Sequence, residues 1–140
     1  MPLLEKFLII KRSQLPGAGK GLFTKVAIAK GQRIVEYKGK IVKWRDIKHM
    51  DGHNGYLMLM NRNHVINAEP TKQFKGRYAN DARGFVRIPG ITNNAEYVSE
   101  GNRCFIEAKR AIGAGEEILV YYGKEFWALQ RKLKRMTKVI

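Results

Sequence analysis

Two tyrosines beside turn glycines are the residues best placed for chemistry: Tyr37 in Glu36-Tyr37-Lys38-Gly39 and Tyr122, directly before Gly123. A strand-end phenol can orient a nucleophile by hydrogen bonding while its ring excludes water. A lone strand tyrosine is more often packing, because strands are tyrosine-rich in any case. The two gain weight from their neighbours. These are the run Gly76-Arg77-Tyr78-Ala79-Asn80-Asp81-Ala82, the stretch Glu116-Glu117-Ile118-Leu119-Val120-Tyr121-Tyr122-Gly123, and the glycine-rich Leu15-Pro16-Gly17-Ala18-Gly19-Lys20-Gly21.

Several other chemistries fail on spacing. A phosphate loop needs a glycine five residues before Gly19, where Gln14 stands, and Ser or Thr after Lys20, where Gly21 stands. The G-x-G-x-G spacing with no helix pattern after it is not a dinucleotide fingerprint. The glycines therefore mark either a close backbone approach to a ligand or a turn. His49 and His53 are four apart, but Asp51-Gly52 and Asn54-Gly55 argue for turns, and no acidic or thiol ligand set accompanies them. The single cysteine, Cys104, excludes an internal disulfide framework and a Cys-rich zinc site.

Taken in chain order over Gly17 to Trp127, the four stretches resemble the SET-domain protein lysine methyltransferases. In that family R-F-x-N-H closes the cofactor pocket and a late Tyr-Gly supplies the reactive-site phenol. Here the run reads Arg77-Tyr78-Ala79-Asn80-Asp81, with aspartate where the family has histidine. Ala82-Arg83-Gly84 replaces the family's cysteine-containing continuation, and no flanking zinc-binding cysteines exist. The resemblance implies S-adenosylmethionine as methyl donor, no metal, and a lysine-bearing protein as substrate. It implies catalytic roles for Tyr122, which would orient the amine, and Tyr37, which would line the lysine channel. Ala18, Lys20 and Gly21 would present backbone groups to the methionine end of the cofactor, and Tyr56 would stand on its side. Arg77, Tyr78, Asn80 and Asp81 would form the closing loop, and Phe126 or Trp127 would cover the adenine. Val120, two residues before Tyr122, would set how many methyl groups are added.

Such a transfer needs a neutral, aligned amine. With a free lysine pKa near 10.4, neutralisation at pH 7 costs about 4–5 kcal/mol. Desolvation in a narrow channel and repulsion by a nearby cation both reduce that cost. Aromatic walls, few charges near the nitrogen and hydroxyl or carbonyl acceptors meet the requirement.

The elements that must position these residues are short. Leu8-Ile9-Ile10, Ile34 to Tyr37, Tyr56 to Met60, His64 to Ala68, Asn94 to Val98, Arg103 to Ala108 and Ile118 to Tyr122 have strand composition. Asn61-Arg62-Asn63 is a turn, and Gln73 to Ala82 reads as a short helix entering an irregular loop. Ala27 to Ile34 and Ala111 to Ile118 share the pattern A-I-x-x-G-x-x-I, an apolar anchor and a glycine turn entering a strand. Phe126, Leu129, Leu133 and Met136 recur at steps of three and four, with basic residues opposite. That predicts an amphipathic helix over 124–138. The fold class is mainly β: several small sheets with one C-terminal helix, which the resemblance identifies as a β-clip-like SET fold. Residues 1–140 form one domain, with its core over about 8–127.

The 140 residues carry a net charge of +15, which favours polyanionic partners. A basic enzyme repels a basic peptide unless acidic side chains form a groove, and Glu96, Glu100, Glu107, Glu116 and Glu117 are the candidates. A substrate associated with nucleic acid or the ribosome removes the repulsion. The rival readings are a non-catalytic basic β-rich module binding nucleic acid, and an inactive SET-like scaffold. The apolar helix stripe could serve a homodimer. No stretch has the length of a signal-peptide core or a membrane span, so the expected location is cytoplasmic or nuclear, away from membranes.

Overall fold

A computed structural model describes residues 3–47, 56–84 and 87–123. Short β-branched and aromatic runs form nine strands there, arranged as three small antiparallel sheets. The first has the order β1 (Leu8–Arg12), β2 (Lys20–Thr24), β9 (Glu117–Ile118). The second has β3 (Arg33–Tyr37), β8 (Arg103–Ala108), β7 (Ala95–Glu100). The third has β4 (Lys40–Val42), β6 (His64–Asn67), β5 (Leu57–Asn61). A mainly β fold of several small sheets is therefore what the sequence builds.

The two A-I-x-x-G-x-x-I segments lie against each other. Ile28 and Ile112 exchange reciprocal backbone hydrogen bonds of 2.8 and 2.9 Å. The Gly31 amide donates to Ala108 O and the Gly115 amide to Thr24 O, both at 2.7 Å. Gly31 (φ 84°) and Gly115 (φ 88°) occupy the left-handed region that side chains disfavour. The repeated octapeptide is thus one turn used twice around a local two-fold. Its isoleucines, with Leu22, Ile34, Ile106 and Ile118, fill the main core, each at most 2% exposed.

Several elements differ from the sequence expectation, among them the strand β4 and a short helix at Trp44–Ile47, neither of which was expected. Lys20–Thr24 is a strand although it begins inside the glycine-rich stretch, because Leu22 and Phe23 bury against β1 and β9. The expected last strand over Ile118 to Tyr122 is regular only at Glu117–Ile118. Beyond it, Leu119 bridges Asn80 and Val120 bridges Ala95, both in parallel. Gln73 to Ala82 holds a single 3-10 turn at Lys75–Tyr78, packed so closely that a side chain at Gly76 would meet Glu36 O at 2.8 Å. The expected helix over 124–138, and His49 and His53, lie outside the described residues.

Candidate active site

The loop before β2 is built by local hydrogen bonds. The Ser13 amide donates to Gly19 O at 2.8 Å, and the Leu15 amide to Ser13 Oγ at 3.1 Å. Gly17 (φ 79°) and Gly19 (φ 73°) turn the chain through the left-handed region. Ala18, Gly19 and Lys20 thereby become one wall of a cavity of about 500 Å³. Tyr56, Lys72, Arg77, Tyr78, Asn80 and Tyr122 complete it. Segments far apart in the chain meet there, and the volume suits a cofactor-sized ligand.

Arg77 dominates the wall chemically. Its guanidinium lies 4.0 Å over the Tyr56 ring and 5.1 Å from the Tyr78 ring centre. Its Nη1 donates to Ala68 O (2.7 Å) and Glu69 O (2.6 Å). Its Nε is buried without a hydrogen-bond partner. A buried charged donor in that condition is costly unless an acceptor reaches it. Beside it, Tyr78 donates to Lys72 O (2.8 Å), and Asn80 Nδ2 donates to Lys20 O (2.9 Å), closing the loop onto β2.

Tyr122 enters from the segment after β9. Its phenol donates to Ala79 O at 2.6 Å, and its amide donates to Asp81 Oδ2 at 2.9 Å. Its ring stacks on Tyr97 at 6.5 Å and 24°, and Tyr97 meets Tyr37 edge-on at 5.9 Å. Burial is the main cause that raises all three phenols well above the ordinary tyrosine range, so each is a neutral hydroxyl at physiological pH.

Of the site residues expected from sequence, the cavity brings together Ala18, Lys20, Tyr56, Arg77, Tyr78, Asn80 and Tyr122. Four others stand elsewhere. Gly21 is buried on β2, where any side chain would collide with the Glu117 carboxylate. Asp81 is 5% exposed, and its carboxylate accepts from three N–H donors within the fold. Tyr37 is 4% exposed in a second core cluster and donates to Tyr56 O at 2.8 Å, so it supports the cavity wall from behind. Val120 is fully enclosed in the main core, against which Tyr78, Tyr97 and Tyr122 pack, and does not line the cavity. Phe126 and Trp127 lie outside the described residues.

Of the five glutamates expected to form an acidic groove, Glu96 and Glu116 are exposed and three have partners within the fold. Glu100 and Glu107 are held by Arg33 at 2.6 and 3.1 Å, and Glu117 is buried, accepting from Ser13 Oγ at 2.6 Å. Sequence reading missed Lys72 and Tyr97. Nothing in the sequence around Lys72 points to a cavity. Tyr97 carried only the alternation of a half-buried strand.

Among the described residues no group of three His, Cys, Asp or Glu side chains could hold a metal ion, and no helix is long and apolar enough to cross a membrane. A family model described as SET domain matches residues 19–123. The chain is 27% identical over 115 residues to the histone-lysine N-methyltransferase set-1 of Caenorhabditis elegans. That match covers 75% of this chain and 46% of the relative, so the chain spans about half the length of that protein.

Proposed function

This chain belongs to the SET-domain family, and from that premise we propose that it transfers methyl groups from S-adenosylmethionine to the side-chain amine of lysine in a protein. The observation that carries this reading is the cavity itself. Residues of the glycine-rich loop, the Tyr56 segment, the Arg77–Asn80 run and the Tyr-Gly segment line one space.

The lining fits the cofactor. The cationic side chains of Arg77, Lys20 and Lys72 in the lining favour a carboxylate such as that on the cofactor's methionine end. Glycine-loop backbone and the Asn80 amide suit its polar atoms, and the face of Tyr56 or Tyr78 suits an apolar or cationic edge. When bound, S-adenosylmethionine supplies the methyl group on its sulfonium.

The protein's own groups then have three tasks. Tyr122, its hydroxyl proton turned towards Ala79 O, keeps oxygen lone pairs available to an incoming amine. The Tyr122 ring, backed by Tyr97 and Tyr37, shields that amine from water and disfavours its charged form. Arg77 and Asn80 hold the donor in register for in-line displacement.

The substrate we propose is a protein associated with nucleic acid or the ribosome, in the cytoplasm or nucleus, because the +15 chain with its tied glutamates offers a basic peptide little attraction. The test is a calorimetric titration with S-adenosylmethionine in chelator. Micromolar binding, about −8 kcal/mol, is expected. Absence of heat, or a requirement for zinc, contradicts the reading.

A further inference from the structure

We propose that Asp81 is the positioning residue for Tyr122, a role that the aspartate fills by accepting several amide hydrogen bonds at once. Three N–H donors from different segments converge on this one side chain. The Tyr122 amide donates to Oδ2 at 2.9 Å, and the Arg83 amide and Asn93 Nδ2 donate to Oδ1 at 2.8 and 2.9 Å. Asn93 Oδ1 in turn accepts the Ala82 amide at 2.8 Å, which requires the Asn93 NH₂ to face Asp81. Asp81 and Asn93 are each 5% exposed, so water does not substitute for these partners. An ionised carboxylate has about four lone-pair sites, whereas a neutral imidazole has one acceptor nitrogen. Histidine at this position cannot meet all three donors.

The geometry links this cluster to the reaction. Asp81 holds the backbone of Tyr122, and Ala79, two residues earlier, holds its phenol. One loop therefore grips both ends of Tyr122 across a sequence separation of about forty residues. Between the two grips, Asn80 faces the cavity and binds Lys20 O. Loss of the carboxylate should turn the phenol while leaving Arg77, Tyr56 and the glycine loop in place. The effect therefore falls on turnover and not on cofactor affinity.

This inference rests on the methyl-transfer reading, and its test separates the two. Asp81→Asn must point an NH₂ at one of the three donors. It is expected to lower kcat about tenfold or more with the dissociation constant for S-adenosylmethionine held within about twofold. Its Tyr122 amide should exchange hydrogen faster than the parent's, with the Leu119 amide unchanged. Asp81→His should behave alike. Should Asp81→Asn not fold, Asn93→Ala, which loosens the carboxylate without removing it, is expected to lower kcat about threefold at constant cofactor affinity. An Asp81→His variant as active as the parent overturns the proposal, as does a loss confined to cofactor affinity. A parent that binds cofactor but methylates no lysine defeats the methyl-transfer reading instead. Even then, unchanged Tyr122 amide exchange in Asp81→Asn overturns the clamp and faster exchange supports it.

Discussion

The phenol of Tyr122 donates a 2.6 Å hydrogen bond to the carbonyl oxygen of Ala79, a residue only 1% exposed. That bond fixes a hydroxyl that would otherwise rotate, and so fixes where its lone pairs point. Tyr122→Phe removes the acceptor for the substrate amine but keeps the ring on Tyr97. Methyl transfer should fall by about 10²-fold or more, with cofactor affinity nearly unchanged. The same change leaves Ala79 O without its donor, at a cost of about 1–2 kcal/mol in stability. Initial rates, a cofactor titration and urea denaturation on one variant check all three.

Arg77 serves through shape as much as charge. Its guanidinium stacks on Tyr56 and makes two carbonyl bonds while keeping Nε towards a buried position. Lysine keeps the charge but neither stacks as a plane nor presents a fork. Arg77→Lys should weaken S-adenosylmethionine binding about tenfold, or about 1.4 kcal/mol, as read by calorimetry. An affinity equal to the parent's removes Arg77 from the cofactor wall.

Val120 also bears on stability. With the side chain fully enclosed and its amide donating to Asn80 O at 2.8 Å, no space exists for a phenol. Val120→Tyr should destabilise the fold by about 1–3 kcal/mol through overpacking, visible as a lower urea midpoint. A stable variant that shifts products towards monomethyllysine would show that the side chain does reach the reacting centre.

Two pH effects should be separable. Turnover should rise from pH 7 towards pH 9, up to tenfold per unit, as the substrate lysine loses its proton. Stability should move the other way at higher pH. Burial, with Glu36 as the lesser cause, pushes the Cys104 thiol up to about 11. The fold favours the neutral thiol, so this contribution is complete below the unfolded value near 8.5 and is lost as pH rises through about 11. Urea midpoints of the parent should therefore decline more steeply over that window than those of Cys104→Ala. Parallel curves would show that the thiol titrates normally.

The sequence made the site more legible than the elements around it. Tyr122 and the Arg77–Asn80 run were legible through the resemblance of their stretches to the SET family, and the cavity brings them together. The paired octapeptides likewise announced two similar turns, though not that Ile28 and Ile112 would bond to each other. Gly21, Asp81 and Val120 were placed at the cofactor or product site because motif spacing orders residues along the chain without saying which way each side chain turns. In a segment such as 119–122, where bridges to Asn80 and Ala95 replace a regular ladder, alternation no longer predicts facing. Lys20–Thr24 was missed because its glycine hid a strand whose burial is decided by partners from both ends of the chain.

Mass spectrometry of protein lysines after incubation with this chain and S-adenosylmethionine tests the central claim most directly. Ribosomal proteins and core histones supply the substrates, and Tyr122→Phe serves as the control. The account predicts methyllysine at defined positions with the parent and a loss of about 10²-fold with the control. Cofactor binding without any methyllysine at long times and excess enzyme would contradict it, and would mark the chain as a scaffold that retains the cavity without the reaction.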